Sequence, residues 1–562
     1  MNRITCAVLC LFTLLTIPDM ARGDHGGIEW PHGVVVSAHP LASEIGTGVL
    51  RDGGNAIDAA IATAFAIAVV EPHGSGLGGG GFAVVHWAEN GKSSALDFRE
   101  TAPEKSRRDM YLVNGQADAE LSRTGGLAVA VPGFVRGLEA LHKANGTLTW
   151  GRLLAPAIHL ASSGFEVDRI LADRIRHSAS RFNAEARAIF LPRGEALRAG
   201  DRLLQIDLAQ TLQRIADEGA DAFYRGPIAQ AIVDTSHAHG GIMTPADLDG
   251  WKPTWREPVR GSYRGHDIVS MPPPSSGGVH LVQMLHILEG MDLKTAGYGS
   301  ALAWHWMAEA MKFAYADRSL HLGDPDFHDV PVKRLTSMKH ANTQRSRIQP
   351  DHVIPPDTVG GIPLKRPEGA NTSHLSVVDR HGNAVSSTVT INLSFGSGLV
   401  AGSTGVILND EMDDFSAAPG VPNAFGLVGS EANAIAPGKR PLSSMTPTLV
   451  LKDGHVFMVT GSPGGSRIIT TALQTILHVI DFGMDMPTAV RVPRIHHQWY
   501  PPVVYHEPFG LSPDTARALE RRGHTLQVRG RIGNAQSILV PSPEGPRIGA
   551  GDPRGNGSSM GH

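Results

Sequence analysis

The stretch AIDAAIATAFAIAVV, from Ala56 to Val70, constrains the fold more than any other part of the chain. Its alanines and isoleucines run nearly all round a helix, so that helix should be buried rather than half-exposed. It is too short, and too interrupted by Asp58, to span a membrane. A chain of 562 residues with 41% hydrophobic composition can supply the surrounding core, and its length alone would suggest several domains.

Local patterns extend the reading in both directions. Gly53-Gly54 separates this helix from an earlier one. GSGLGGGGFAVVHW and SALDFRE read as two strands near a glycine-rich turn, and Leu127 to Gly240 is mostly helical by apolar spacing. SALAWHWMAEAMKFAYADRSLHLGD, from Ser300 to Asp324, is another strong helix. From His340 to Asn371 there is no Phe, Tyr or Trp and no visible period, which predicts a mobile polar segment. Strands follow. His381-Gly382-Asn383 marks one hairpin turn and Asp453-Gly454 another, and GSPGG opens a further helix.

Bulk properties exclude some functions. The formal charge of −4 offers no basic stripe for nucleic acid and no acidic tail. Residues 1–23 read as a secretory signal: Arg3, an apolar run from Ile4 to Ile17, then Ala21-Arg22-Gly23. The expected location is therefore the periplasm or the exterior, with no membrane contact after signal removal. Both cysteines, Cys6 and Cys10, lie inside that signal. The mature chain would have no disulfide and no thiol nucleophile.

Several motifs carry less than they first suggest. Gly74 to Gly79 fits G-x-G-x-x-G, but a helix precedes it and a strand follows, the reverse of a dinucleotide site. A close-packed turn is the better account. His237/His239 and His496/His497 lack the partners of a metal motif, and no metal or other cofactor is expected. Gly557 to Gly561, GSSMG, fits a serine-hydrolase elbow but has no room for the helix that elbow needs, so it reads as a flexible tail. GSPGGSR, Gly461 to Arg467, places backbone N–H groups at a helix start, where they face an anion or serve only as a tight turn. NDEMDDFS holds four carboxylates between Asp410 and Asp414, suited to a substrate ammonium, to calcium or simply to solvent.

Taken together, the motifs are specific. Thr372-Ser373-His374, Gly382-Asn383, Val385, Thr388, Thr390, Asn392 and Phe395-Gly396 form one signature, and DFRE, MDDFS, RPLSSM and GSPGGSR accompany it in order. The chain resembles the γ-glutamyltransferase family of N-terminal-nucleophile hydrolases, from about Val34 to the end. That resemblance implies an α+β fold, a four-layer αββα sandwich shared by two subunits of one precursor. Residues 24–371 would form the large subunit and 372–562 the small one, paired as a heterodimer.

The resemblance also implies site roles. The chain would cut itself between Asn371 and Thr372, freeing an α-amine beside the Thr372 hydroxyl. A free α-amine, with a pKa of about 7.7–8.0, can activate that weak nucleophile. Thr390 would orient the hydroxyl, and Gly464 and Gly465 would stabilise the oxyanion. Arg99, Ser443 and Ser444 would hold a substrate α-carboxylate. Asn392, Glu411 and Asp414 would hold its α-amino group. Glutathione and other γ-glutamyl compounds are the implied donors, with water, amino acids and dipeptides as acceptors. Phe425 stands where some lidded relatives carry a tyrosine that bonds across the pocket, so a lid here would close by packing alone.

Three rivals compete with this reading. A β-lactam acylase would take a glutaryl group, which lacks the amine that Glu411 and Asp414 suit. A poly-γ-glutamate transpeptidase fits the lid stretch less well. A periplasmic solute-binding protein would need no nucleophile.

Overall fold

The computed structural model describes residues 28–361, 371–417 and 430–562. Two seven-stranded antiparallel sheets dominate it. One runs Ser558–Gly561, Val34–Ser37, Ser373–Val378, Ala384–Thr390, Gly80–Trp87, Lys92–Phe98, Thr254–Arg256. The other runs Ile28–Trp30, Arg547–Gly551, Gln536–Leu539, His455–Thr460, Thr448–Lys452, His266–Ser270, Val259–Tyr263.

Side-chain alternation along the strands builds the layers. Val34, Val36, Phe82 and Val84 meet Leu449, Val459 and Ile538 from the other sheet in one buried cluster. Their neighbours Val35, Ala83 and Val85 point the other way and pack with the helix Ala56–Val70. The outer face of the second sheet is covered by Gly277–Glu289, Ala301–His321 and Arg467–Ile480. Helices therefore sandwich two sheets, the αββα arrangement expected. Strand Ser373–Val378 lies between Val34–Ser37 and Ala384–Thr390, so both sides of the Asn371–Thr372 junction contribute to the same sheet.

The helix Ala56–Val70 is buried at every position. Asn55 caps it in a capping box with Asp58. Asp58 also accepts from the Thr147 N–H at 3.0 Å and the Thr147 hydroxyl at 2.5 Å. These bonds explain how a carboxylate is tolerated in an otherwise apolar helix. Asp453 and Gly454 both have positive φ, 51° and 80°, as a two-residue hairpin turn between twisted strands requires.

Two expectations need correction. The stretch from His340 is not a mobile segment as far as Gly361. Helix Met338–Arg345 is held by polar contacts: Gln344 donates to Asp317 at 2.9 Å, and His340 meets the same carboxylate at 2.7 Å. Further on, the Lys312 ammonium donates to the Ile354 carbonyl at 2.8 Å and the Trp499 indole to the Pro356 carbonyl at 3.0 Å. Residues 362–370 lie outside the described part, as do the signal and Phe425. Nor is GSSMG a loose tail. Ser558–Gly561 is an edge strand paired with Val34–Ser37, and Ser43 and Thr47 donate hydroxyl bonds to the carbonyls of Ser558 and Met560. Among the described residues, no helix is long and apolar enough to cross a membrane.

Candidate active site

Thr372 sits one residue before strand Ser373–Val378, and its hydroxyl donates to the Asn371 carbonyl at 2.5 Å. The neighbouring strand ends at Thr390, whose Oγ1 accepts the Asn392 N–H at 2.9 Å. The glycine-rich turn presses against this point from behind. A Cβ on Gly79 would stand 1.9 Å from the Thr390 carbonyl oxygen, and one on Gly78 would stand 2.1 Å from that of Ile407. Only glycine permits this approach, so the turn is a packing device, as its inverted context implied. Among the described residues no hydrogen bond joins Thr390 to Thr372. With the chain intact, the Thr372 hydroxyl is engaged by Asn371 instead.

Beyond Thr390 the chain turns sharply. Asn392 has φ +71°, and its side-chain amide donates to the Asp410 carbonyl at 3.0 Å. This ties the strand end to the short 3-10 turn Glu411–Asp414. That turn faces Arg99, which lies just past strand Lys92–Phe98. One Arg99 nitrogen donates to Glu411 and the other to Asp414, the latter at 2.5 Å, while Nε reaches the Pro441 carbonyl at 3.3 Å. The groups expected to clamp a carboxylate and an ammonium separately are thus paired with each other.

Ser443 and Ser444 follow Pro441. The Ser443 hydroxyl accepts the Met445 N–H at 3.1 Å. Ser444 accepts from Arg318 at 3.3 Å, and Arg318 also donates to Ser276 at 3.0 Å. Opposite them, Gly464 and Gly465 have φ +140° and +57° and precede helix Arg467–Ile480. Neither amide donates to a protein acceptor among the described residues, so both are free for an oxyanion at a helix start.

Every residue assigned a role by resemblance, except Asn371 and Gly464, lines one narrow cavity of about 20 Å³; Asn371 and Gly464 line a neighbouring one that also contains Thr372. Arg318, Met445 and Ile468 line the first cavity too and were not anticipated. Arg318 had a usable signal: an arginine on the largely buried helix Ala301–His321 must find polar partners inside the core. Glu100, beside Arg99, is a further buried carboxyl 3.9 Å from the guanidinium.

Charge in this cavity is tightly coupled. Burial opposes the charge on Arg99, but Glu411, Asp414 and Glu100 more than offset that and raise its pKa. Burial pushes Glu411 and Asp414 above the ordinary carboxylate range against the pull of Arg99. Burial likewise brings Glu100 to about 7, again opposed by Arg99. Burial lowers Arg318 to about 10.

One cluster has metal-like spacing. Donor atoms of His305, Glu309 and His524 lie within 4.8 Å of one another. They are already used internally. His305 bonds His524 at 2.8 Å and the Gln349 carbonyl at 2.7 Å, and Glu309 accepts from Lys312 at 2.6 Å. The Lys312 ammonium supplies the positive charge a metal would bring. His496 is similarly satisfied by Thr470 and Gln498, a core histidine rather than a ligand.

Comparison with known proteins agrees with this geometry. The family pattern described as Gamma-glutamyltranspeptidase matches residues 42–562. A glutathione hydrolase proenzyme from Escherichia coli (strain K12) is 47% identical over 526 residues, covering 93% of this chain and 90% of that one. The crystal structure of a cephalosporin acylase from Bacillus halodurans superposes with a TM-score of 0.84 at 30% identity, covering 98% of this chain and 99% of that one. A Helicobacter pylori gamma-glutamyltranspeptidase structure gives 0.57 at 46% identity, covering 58% of this chain and 94% of that one. With its described site and this match across the chain, the protein belongs to the gamma-glutamyltranspeptidase family of enzymes.

Proposed function

We propose that this chain is an exported proenzyme that cuts itself before Thr372 and then transfers γ-glutamyl groups from glutathione and related compounds to water, amino acids or dipeptides. The observation that carries the reading is the Thr372 hydroxyl held 2.5 Å from the Asn371 carbonyl oxygen, at the edge of a cavity with a paired cationic and anionic clamp. Attack by that hydroxyl on the Asn371 carbonyl carbon converts the peptide bond to an ester. The C–N bond breaks in that step and frees the Thr372 α-amine; hydrolysis of the ester then releases the Thr372 hydroxyl and leaves residues up to Asn371 as the large subunit.

The same hydroxyl then serves as nucleophile. The α-amine takes its proton as the Thr372 oxygen attacks the γ-carbonyl of the donor. Gly464 and Gly465 donate to the developing oxyanion, and loss of one such donor typically lowers kcat by about 10²–10³. The substrate zwitterion engages both halves of the Arg99 pairing. Its carboxylate goes to Arg99 and the serines, and its ammonium goes to Glu411, Asp414 and Asn392. The amide C–N bond breaks, the leaving amine takes the proton, and a γ-glutamyl ester remains on Thr372 until water or an amine releases it. No cofactor enters these steps.

Intact mass of the purified wild type beside Thr372→Ala tests the first half. Two fragments, the smaller starting at Thr372, are expected in wild type only. Glutamate release from glutathione tests the second. Similarity to the Bacillus halodurans acylase supports a second reading, in which a side chain without an α-amine is removed. The buried Glu411 and Asp414 argue for the γ-glutamyl group, since a glutaryl substrate would leave both carboxyls without an ammonium.

A further inference from the structure

Thr372 opens onto a second cavity, distinct from the one that holds Arg99 and the serines. It measures about 160 Å³ and is bordered by Asn371, Gly464 and four arginines: Arg174, Arg467, Arg531 and Arg554. Two of these are occupied. Arg554 is paired with Glu507 and Asp552. Arg467 donates to the Arg531 carbonyl at 3.1 Å and so fixes the loop that carries Arg531. The side chains of Arg174 and Arg531 make no hydrogen bond or ion pair among the described residues. They are close enough that, after burial, the charge of Arg531 is the largest influence lowering the pKa of Arg174.

Asp173 and Glu71 act on Arg174 in the opposite sense and offset part of that effect. Glu71 accepts the Ser373 hydroxyl at 2.5 Å, and burial raises its pKa to about 7. His73 is buried and held neutral, with its pKa lowered to about 3 by burial first and then by Arg174. Both guanidiniums are exposed at the mouth of this cavity, where solvent screens their repulsion and an anion placed between them would relieve what is left. Their planar forks suit a carboxylate.

We propose that this second cavity is the leaving-group and acceptor subsite, and that Arg174 and Arg531 hold the free carboxylate of a peptide bound there. The assignment rests on the γ-glutamyl reading above. A donor whose acyl half lies in the Arg99 cavity, with its carbonyl at Thr372, extends its departing half to the other side of that residue. For glutathione this half ends in the glycine carboxylate. In transfer, the acceptor amine attacks the ester carbonyl, the new C–N bond forms, and the bond to the Thr372 oxygen breaks. The proton lost by the amine returns to Thr372. Asn371 borders the same cavity, so self-cleavage clears its rim before any peptide binds.

The test compares three donors on processed wild type and on the double variant Arg174→Ala/Arg531→Ala. The donors are glutathione, glutathione amidated at its glycine carboxylate, and γ-glutamyl-p-nitroanilide, whose leaving group has no carboxylate. In the variant, the ratio of kcat/KM for glutathione to that for the anilide should fall about tenfold or more. Amidation should lower kcat/KM by a similar factor in wild type and by less than about twofold in the variant, because the partner is already gone. Proportional loss on all donors, or an equal amidation effect in both proteins, overturns the subsite while leaving the γ-glutamyl reading intact. Wild type that cleaves none of the three donors removes both.

Discussion

Asp414 accepts a hydrogen bond from Arg99 at 2.5 Å, with the arginine fully buried and the carboxylate nearly so. Breaking such a pair strands a charge, at a cost of about 3–5 kcal/mol. Asp414→Ala should therefore lower kcat/KM for γ-glutamyl-p-nitroanilide by about 10² or more. The Asn371–Thr372 junction does not touch this pair, so self-cleavage should persist. Gel analysis beside steady-state kinetics separates the two effects, and a variant that neither processes nor turns over would point to a purely structural pair.

Gly79→Ala would drive a methyl to 1.9 Å from a carbonyl oxygen that belongs to the strand carrying Thr390. Backbone cannot rotate aside as a side chain can. We expect destabilisation of about 3 kcal/mol or more and slowed self-cleavage, read by thermal unfolding and by fragment appearance over time.

Gly464 has φ +140°, a conformation open to glycine and strained for any other residue. Gly464→Ala should reduce kcat by about 10²–10³ with a smaller change in KM, because the amide it misplaces would act on the transition state. Equal changes in both parameters would place Gly464 outside the oxyanion site.

Arg318 spans two hydroxyls, Ser276 and Ser444. A lysine cannot span both. Arg318→Lys should raise the donor KM about tenfold while kcat changes little, since the serines would lose their alignment toward the donor carboxylate. An unchanged KM would separate Arg318 from substrate alignment.

His374 lies between the sheets, bonded to Thr388 at 2.8 Å, and burial lowers its pKa to about 3. Its ordinary value is 6.5. Between those values the unfolded chain binds a proton that the folded chain does not. Stability should accordingly fall as pH drops from about 6.5 toward 3, by about 1.4 kcal/mol per pH unit for this residue. His478 and His496 are lowered in the same way and act in the same direction. The urea midpoint of the Thr372→Ala chain should be lower at pH 5 than at pH 7.5, with a shallower fall in His374→Gln. Equal midpoints would count against a neutral buried histidine.

Near-neighbour chemistry was legible without coordinates. The all-apolar face pattern of Ala56–Val70 marked a buried helix, and Asp453-Gly454 marked a hairpin, because each depends on residues within a turn or two. The helix Met338–Arg345 was not legible. Its buried positions are Ala341 and Gln344, and hydrogen bonds to distant side chains hold it rather than an apolar stripe. The same holds for Ser558–Gly561, whose partner strand begins more than five hundred residues earlier. The motifs named the residues of the site, but the tertiary structure decided how they meet. Arg99 and Glu411 are 312 positions apart, and no local pattern encodes that they pair. Arg318 enters the cavity, and Arg174 and Arg531 border the second cavity at Thr372, only because helices and strands far apart in the chain pack there. Composition and spacing determine which elements form; excluded volume and the burial of charge determine which side chains face each other once they do.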